Sequence, residues 1–250
     1  MYDKKQVSVI MPCYNAEEVI GKSIESVLAQ TYEDLQLIIV DDCSTDQTAA
    51  KVLPYLQDER ILFIQLPQNA GVAQARNVGM QHSLGRFIAF LDSDDLWMTE
   101  KLTRQVELIQ KNDAPLVYSA YQTFQETTDK TLKTIQVPET IDYQGLLRNT
   151  IIGCLTVLVD RTKTGDFTMP NIPGGEDTAT WLHILKENGV AYGINQPLAY
   201  YRVSGSSLSG NKWKMAQRTW KMYRETQNLS FVETCLCFSS YVKNAIKKRI

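Results

Sequence analysis

Three carboxylates crowd into four residues at Asp92-Ser93-Asp94-Asp95, directly after the apolar run from Arg86 to Leu91. Uncompensated like charges so close raise one another's pKa. A hard divalent cation removes that cost and prefers oxygen ligands, so magnesium or manganese bridging to phosphate oxygens is one reading. The other is an acidic first turn of a helix before Leu96-Trp97, where negative side chains are favoured. Spacing alone leaves the two open. Asp41 and Asp42 also follow an apolar run. A carboxylate there can accept a hydrogen bond from a base or a ribose, or serve a helix cap with Ser44-Thr45-Asp46. No Gly-rich dinucleotide fingerprint follows the first apolar run, and no P-loop is present, which argues against a nicotinamide cofactor and against a P-loop NTPase. The five cysteines form no CxxC pair, and His82 and His183 are far from them in sequence. Neither a zinc site nor a disulfide framework is expected, and a reducing cytoplasm is the default.

The elements that must position these groups can be read from periodicity. Val7 to Met11 reads as a buried first strand stopped by Pro12, Leu35 to Val40 as a central parallel strand, Ile61 to Leu66 as a third and Arg86 to Leu91 as a fourth. Between them, Asn15 with Glu18 offers a capping box for a helix whose Ile20, Ile24, Val27 and Leu28 share one face. Ser44 or Asp46 can cap a second helix that Pro54 kinks or ends. Gly71 to Ser83 reads as a helix with Val72, Ala75, Val78 and Gly79 inward. Thr99 can cap another carrying Leu102, Val106 and Ile109. Leu116 to Phe124 and Leu155 to Val159 read as strands, Asp142 to Asn149 and Asp177 to Asn188 as helices, and Leu198 to Val203 as an apolar, aromatic segment. The alternation implies an α/β fold: an open, mostly parallel, Rossmann-like sheet with helices on both faces. Ligands in such sheets bind beyond the carboxyl ends of the strands, which is where Pro12 to Asn15, Asp41 to Ser44 and Asp92 to Asp95 all fall.

The four motifs in that order, Val7 to Asn15, Ile38 to Asp46, Asn69 to Asn77 and Phe90 to Asp95, resemble family 2 glycosyltransferases, which have the GT-A fold. Gly174-Gly175-Glu176-Asp177 and Tyr200-Tyr201-Arg202 extend the resemblance to about residue 205. The whole chain is similar to transferases that build bacterial teichuronic, capsular or O-antigen polysaccharides. The resemblance implies an inverting transfer of a hexose from a UDP-sugar to a saccharide, lipid-linked, acceptor, with Mn2+ or Mg2+ as cofactor. It implies that Pro12, Tyr14 and Asn15 line the base pocket, that Asp42 bonds the uracil edge while Asp41 supports its turn, and that Arg76 faces the nucleotide. Asp92, Ser93 and Asp94 would form the donor-binding DxD motif, with Asp94 and Asp95 on the metal. Cys43 departs from the family, which often has glycine there.

Asp177 follows Pro173-Gly174-Gly175 at the start of a helix and is the candidate catalytic base, with Glu176 as substitute or acceptor partner; both could instead be a helix-capping pair. Arg202 could reach the diphosphate when a loop over Ser204 to Gly210 closes, or be a surface arginine. Trp97 and Trp181 suit a core, although Trp97 lies near enough to the acidic cluster to touch a sugar.

Residues 1–210 form the expected transferase domain, with 1–115 the nucleotide-sugar half and 116–210 the acceptor half; 211–250 form a helical tail. The tail mixes Trp213, Trp220, Phe231, Leu236 and Phe238 with Lys243, Lys247, Lys248 and Arg249. That composition suits an interfacial helix on anionic lipid, a helix on the core, or a homodimer mate. A net charge of -2 suggests no nucleic-acid partner. Without a signal-peptide pattern or a run of about 18 apolar residues, a soluble cytoplasmic protein is expected, or one peripheral on the cytoplasmic face of the inner membrane. A non-catalytic nucleotide-sugar-binding subunit and a nucleotidyltransferase are the competing readings.

Overall fold

The computed structural model describes residues 2–128, 130–203 and 212–247. The chain runs β1 (Asp3–Cys13), α1 (Ile20–Leu28), β2 (Leu35–Asp41), α2 (Thr48–Val52), β3 (Ile61–Gln65), α3 (Val72–Gln81), β4 (Gly85–Phe90) and β5 (Leu96–Trp97). It continues with α4 (Lys101–Lys111), β6 (Leu116–Phe124), β7 (Thr131–Ile135), β8 (Thr140–Ile141), α5 (Tyr143–Arg148), β9 (Leu158–Asp160), α6 (Arg161–Thr164) and α7 (Glu176–Asn188). β10 (Ala191–Arg202), α8 (Lys212–Glu225) and α9 (Phe231–Lys247) complete it. One sheet orders the strands β3-β2-β1-β4-β9-β6-β10-β5, with β7 added to β6 and β8 to β10. β1 to β4 pair in parallel, as do β6 and β10; β9 enters antiparallel between β4 and β6.

Alternate residues of the central strands feed two cores, which is why their sequences are continuously apolar. Val7, Val9 and Met11 of β1 join Leu37, Ile39, Phe87 and Ala89 beneath α1 and α4. Ile10 joins Ile38, Val40, Ile88 and Phe90 on the other face, with α3, α5 and α7. At Gly79, α3 packs tightly on β1: a Cβ there would stand 2.5 Å from Ile10 Cγ2.

Several local expectations are corrected. β1 begins earlier and carries Pro12 within its last turn of pairing, opposite Val40. Asn15 does not cap α1, which starts at Ile20 with no side-chain cap; its φ is +48° and its side chain bonds elsewhere. Val72 faces solvent, whereas Ala73, Ala75, Arg76, Gly79 and Met80 are buried. Thr99 does not cap α4. Residues 155–159 split into a 3-10 turn over Cys154–Thr156 and the short β9.

The tail docks rather than projects. Met222 and Tyr223 of α8 are buried, the Tyr223 hydroxyl donates to the Leu147 carbonyl at 2.5 Å, and Asn244 of α9 donates to the Arg148 carbonyl at 2.9 Å. Trp220 joins α8 to α9 through Phe231 and Phe238, with ring centroids 5.9 and 5.3 Å away. Among the described residues no helix is long and apolar enough to cross a membrane. Lys248 and Arg249 lie outside the described residues, as does the side chain of Lys247.

Candidate active site

The exits of β1, β2 and β4 are tied into one rim. The Asn15 amide donates to Ser44 Oγ at 2.9 Å, and the Thr45 amide donates back to Asn15 Oδ1 at 2.8 Å. Asp41, almost fully buried, accepts the Ser44 amide and hydroxyl and the Gln65 amide group. Asp42 accepts the Ala70 and Gly71 amides at 2.7 and 2.8 Å, so its two oxygens fix the loop that opens α3. The turn at Asp92 to Asp95 is held from below by the Ser23 hydroxyl, which lies 2.8 Å from the carbonyls of both Ser93 and Asp95 and shares its one proton between them. Arg202 holds it from the side: its amide donates to Asp95 Oδ1 at 2.8 Å and its Nε to the Asp94 carbonyl at 2.9 Å. The guanidinium also donates to the Gln125 carbonyl and lies over Phe124.

Two cavities flank this turn. The first, of about 520 Å³, is lined by Pro12, Tyr14, Asn15, Asp42, Asp92, Ser93, Asp94 and Arg202 among others. Tyr14 stands half exposed at its edge. The second, of about 380 Å³, takes in Arg76, Asp92, Asp95, Tyr121, Glu176, Asp177 and Tyr201. Its walls are the segment from Thr150 to Leu155 and, from the tail, Met215, Arg218, Thr219, Met222 and Tyr241. Asp92 borders both cavities.

Buried Arg76 bridges the two. It holds Asp92 at 2.6 Å and Glu176 at 2.9 Å, fastening the rim to the start of α7. Asp177, beside Glu176, has one carboxylate oxygen on the Thr178 amide. Burial first, then the Glu176 charge, pushes its carboxyl up to about 6. Such a group is ionised at neutral pH and still a useful proton acceptor.

Asp94 and Asp95 are adjacent in sequence but serve different cavities. Burial and the Asp92 charge push the Asp94 carboxyl up, a cost that a cation in the first cavity relieves. Asp95 is 1% exposed, with Oδ1 on Arg202 and Oδ2 lacking a hydrogen-bond partner, and burial raises its pKa far above the usual range. Among the described residues no three His, Cys, Asp or Glu side chains converge into a metal cage. Asp94, beside the first cavity, could contribute to a site of one or two carboxylates completed by phosphate oxygens, the arrangement common for magnesium.

Of the other expected residues, Trp97 lines neither cavity: it is 4% exposed, donates to the Leu155 carbonyl and carries Lys101 over its ring. The Ser204 to Gly210 loop lies outside the described residues. Ser23, Tyr121, Ile151, Ile152 and Arg218 carry no local pattern that marks them as site residues.

The profile of Glycosyl transferase family 2 matches residues 8–169. TuaG of Bacillus subtilis, named for glycosyl transfer in teichuronic acid biosynthesis, is 45% identical, covering 99% of this chain and 98% of its own. WfgD of Escherichia coli, named a UDP-Glc:alpha-D-GlcNAc-diphosphoundecaprenol beta-1,3-glucosyltransferase, is 40% identical over 98% of this chain and 93% of its own. Among solved structures, S. aureus TarS 1-349 in complex with UDP-GlcNAc superposes with a TM-score of 0.74 at 19% identity, over 97% of this chain and 73% of that one. The mannosyltransferase PcManGT of Pyrobaculum calidifontis, in complex with GDP-Man and Mn2+, gives 0.68 at 19% identity, over 90% of this chain and 64% of that one.

Proposed function

The chain is a glycosyltransferase that belongs to family 2 and has the GT-A fold, and from that premise we propose that it transfers a hexose from a UDP-sugar, with inversion, to a saccharide carried on a lipid diphosphate in cell-surface polysaccharide synthesis. The observation that carries this reading is the position of Asp92 between two cavities, one framed by the strand-exit motifs and the other holding Asp177. The names of TuaG and WfgD support the pathway class, the donor and the acceptor.

In this reading residues 1–115 recognise the donor. Tyr14 stacks on the base, Pro12 and Asn15 shape its pocket, and Asp42 meets the uracil edge while Asp41 holds the turn. Asp92, Ser93 and Asp94 take the ribose and diphosphate, with Arg202 steadying their backbone. Asp94 would hold a divalent cation, Mn2+ or Mg2+, which when bound supplies charge stabilisation for the departing diphosphate. Asp95 supports the turn by receiving the Arg202 amide. Residues 116–210 and the tail bind the acceptor. Asp177 takes the proton of the acceptor hydroxyl as its oxygen bonds to the anomeric carbon, and the bond from that carbon to the diphosphate breaks, UDP leaving with the electron pair.

A peripheral position on the cytoplasmic face of the membrane belongs to the same proposal. Phe231, Val232 and Leu236 of α9 are exposed, while Thr234 and Cys237 face the core and Tyr241 faces the cavity. The outer face of the tail thus offers apolar surface next to a cavity for a lipid-borne acceptor.

The test is a panel of UDP-sugars with a hexosaminyl diphosphate lipid as acceptor, read by UDP release with and without manganese. Release that needs both acceptor and metal is expected. Absence of acceptor-dependent release from every UDP-sugar overturns the assignment.

A further inference from the structure

The acceptor cavity contains a cation that no step above uses. Arg218 reaches it from α8. Among the described residues its guanidinium has neither a hydrogen-bond nor an ion-pair partner. The remaining charged groups of the cavity are Asp92, Asp95, Glu176, Asp177 and Arg76, and Arg76 is committed to Asp92 and Glu176. An acceptor that carries phosphate would enter this acidic surface at a cost unless a free cation met it.

The placement of Arg218 depends on a glycine. Gly174 has a φ of +96°, and a Cβ there would lie 2.9 Å from Arg218 Cδ and 3.1 Å from its Nη1. The arginine stem thus lies against the turn that opens α7, three residues before Asp177. The same side chain borders a groove with Ile172, Pro173 and Lys221. Lys221 is itself only loosely paired, at 3.7 Å from Glu225.

We infer that Arg218 is the acceptor-phosphate subsite: its guanidinium binds the diphosphate that carries the acceptor sugar, while Asp177 faces the sugar hydroxyl. This rests on the reading of the acceptor as diphosphate-linked. The guanidinium fork matches two phosphate oxygens. It also gives the tail a chemical task in the reaction, since α8 brings the acceptor its counter-charge.

The test compares wild type, Arg218→Gln and Arg218→Lys on two acceptors with the same hexosamine. One carries it on an undecyl diphosphate, the other on an undecyl chain without phosphate. Arg218→Gln is expected to lower kcat/KM for the diphosphate acceptor about 10- to 100-fold, mainly through KM, as for loss of a charge-assisted contact. Activity on the phosphate-free acceptor and affinity for UDP stay at wild-type values, and Arg218→Lys recovers part of the loss. Equal losses on both acceptors make Arg218 a packing residue and overturn the inference. If Arg218→Gln keeps the full wild-type preference for the diphosphate acceptor, the inference fails while the acceptor reading stands. If wild type itself shows no such preference, the acceptor reading fails and takes the inference with it.

Discussion

Apart from Arg202, every residue lining the proposed donor cavity lies between positions 12 and 94, whereas the proposed acceptor cavity draws on positions from 76 to 241. The donor side is made of strand exits laced together by side chains: Asn15 to Ser44 and Thr45, Asp41 to Ser44, Asp42 to the α3 loop. The acceptor side is assembled from β6, the loop before β9, the start of α7, the end of β10 and both tail helices. A nucleotide is a constant shape that short, rigid motifs can read. An acceptor varies between enzymes, and its cavity is correspondingly built from parts that are far apart in sequence and free to change one at a time.

The sharpest way to separate the two sides is Asp177→Asn. Transfer should fall on the order of 10,000-fold, the upper end of what a general base supplies, with UDP affinity unchanged by calorimetry. Near-normal turnover would remove Asp177 from the mechanism. The donor-side counterpart is Asp94→Ala, expected to cost about 100- to 1,000-fold in kcat and to abolish the manganese dependence of UDP affinity. If metal-linked UDP binding survives, the cation sits elsewhere.

Arg76→Gln should blur the contrast, because this one residue fastens both sides. It leaves buried Glu176 without its partner, a loss of about 3 kcal/mol, or a fall in Tm of about 6–12 °C. Donor affinity and turnover should worsen together; a change confined to one of them would show that the bridge does not couple the cavities.

The pH dependence probes Asp177 on the acceptor side, with the raised Asp94 carboxyl as a second titrating group on the donor side. With Asp177 pushed up to about 6, turnover should drop about tenfold per pH unit below that value. Its stability effect has a definite sign. The folded state holds the proton more tightly than the unfolded chain, so this group makes the fold less stable as pH rises from about 4 to about 6. Asp177→Asn lacks that loss and should melt no lower than wild type at pH 8. A lower Tm there would contradict a carboxyl raised by burial.

The smallest effect is on the donor rim. Cys43 has a φ of +63°, the region glycine occupies freely. Cys43→Gly should raise stability by about 1 kcal/mol or less, offset in part by the more flexible unfolded chain, and leave UDP affinity unaltered.

How much of this is legible in the sequence follows the same division. Periodicity locates the central strands, α1 and α7, because their apolar residues answer to one local frame. The donor motifs are equally plain, since Asp41, Asp42 and the Asp92 turn all sit where parallel strands end. Asn15 misleads: its side chain suits a cap, but its partner Thr45 is 30 residues away, and no local rule weighs that competitor. Asp94 and Asp95 look like one ligand pair by adjacency, and sequence alone does not show that they line different cavities or that β10 brings the Arg202 amide to Asp95. Strands β7 and β8 are missed because they are short, largely polar edges. Arg218 is invisible for the plainest reason: nothing near it in sequence says that Gly174 waits on the other side of the fold.

The family profile ends at residue 169, and the α8 and α9 wall of the acceptor cavity begins at Met215. In the proposed reading, part of the acceptor wall thus lies outside the matched family profile, although Arg76, Asp92, Asp95 and the segment from Thr150 to Leu155 keep the rest of it within that span. A chimera exchanging residues 212–247 between relatives is expected to shift acceptor preference while UDP affinity stays unchanged.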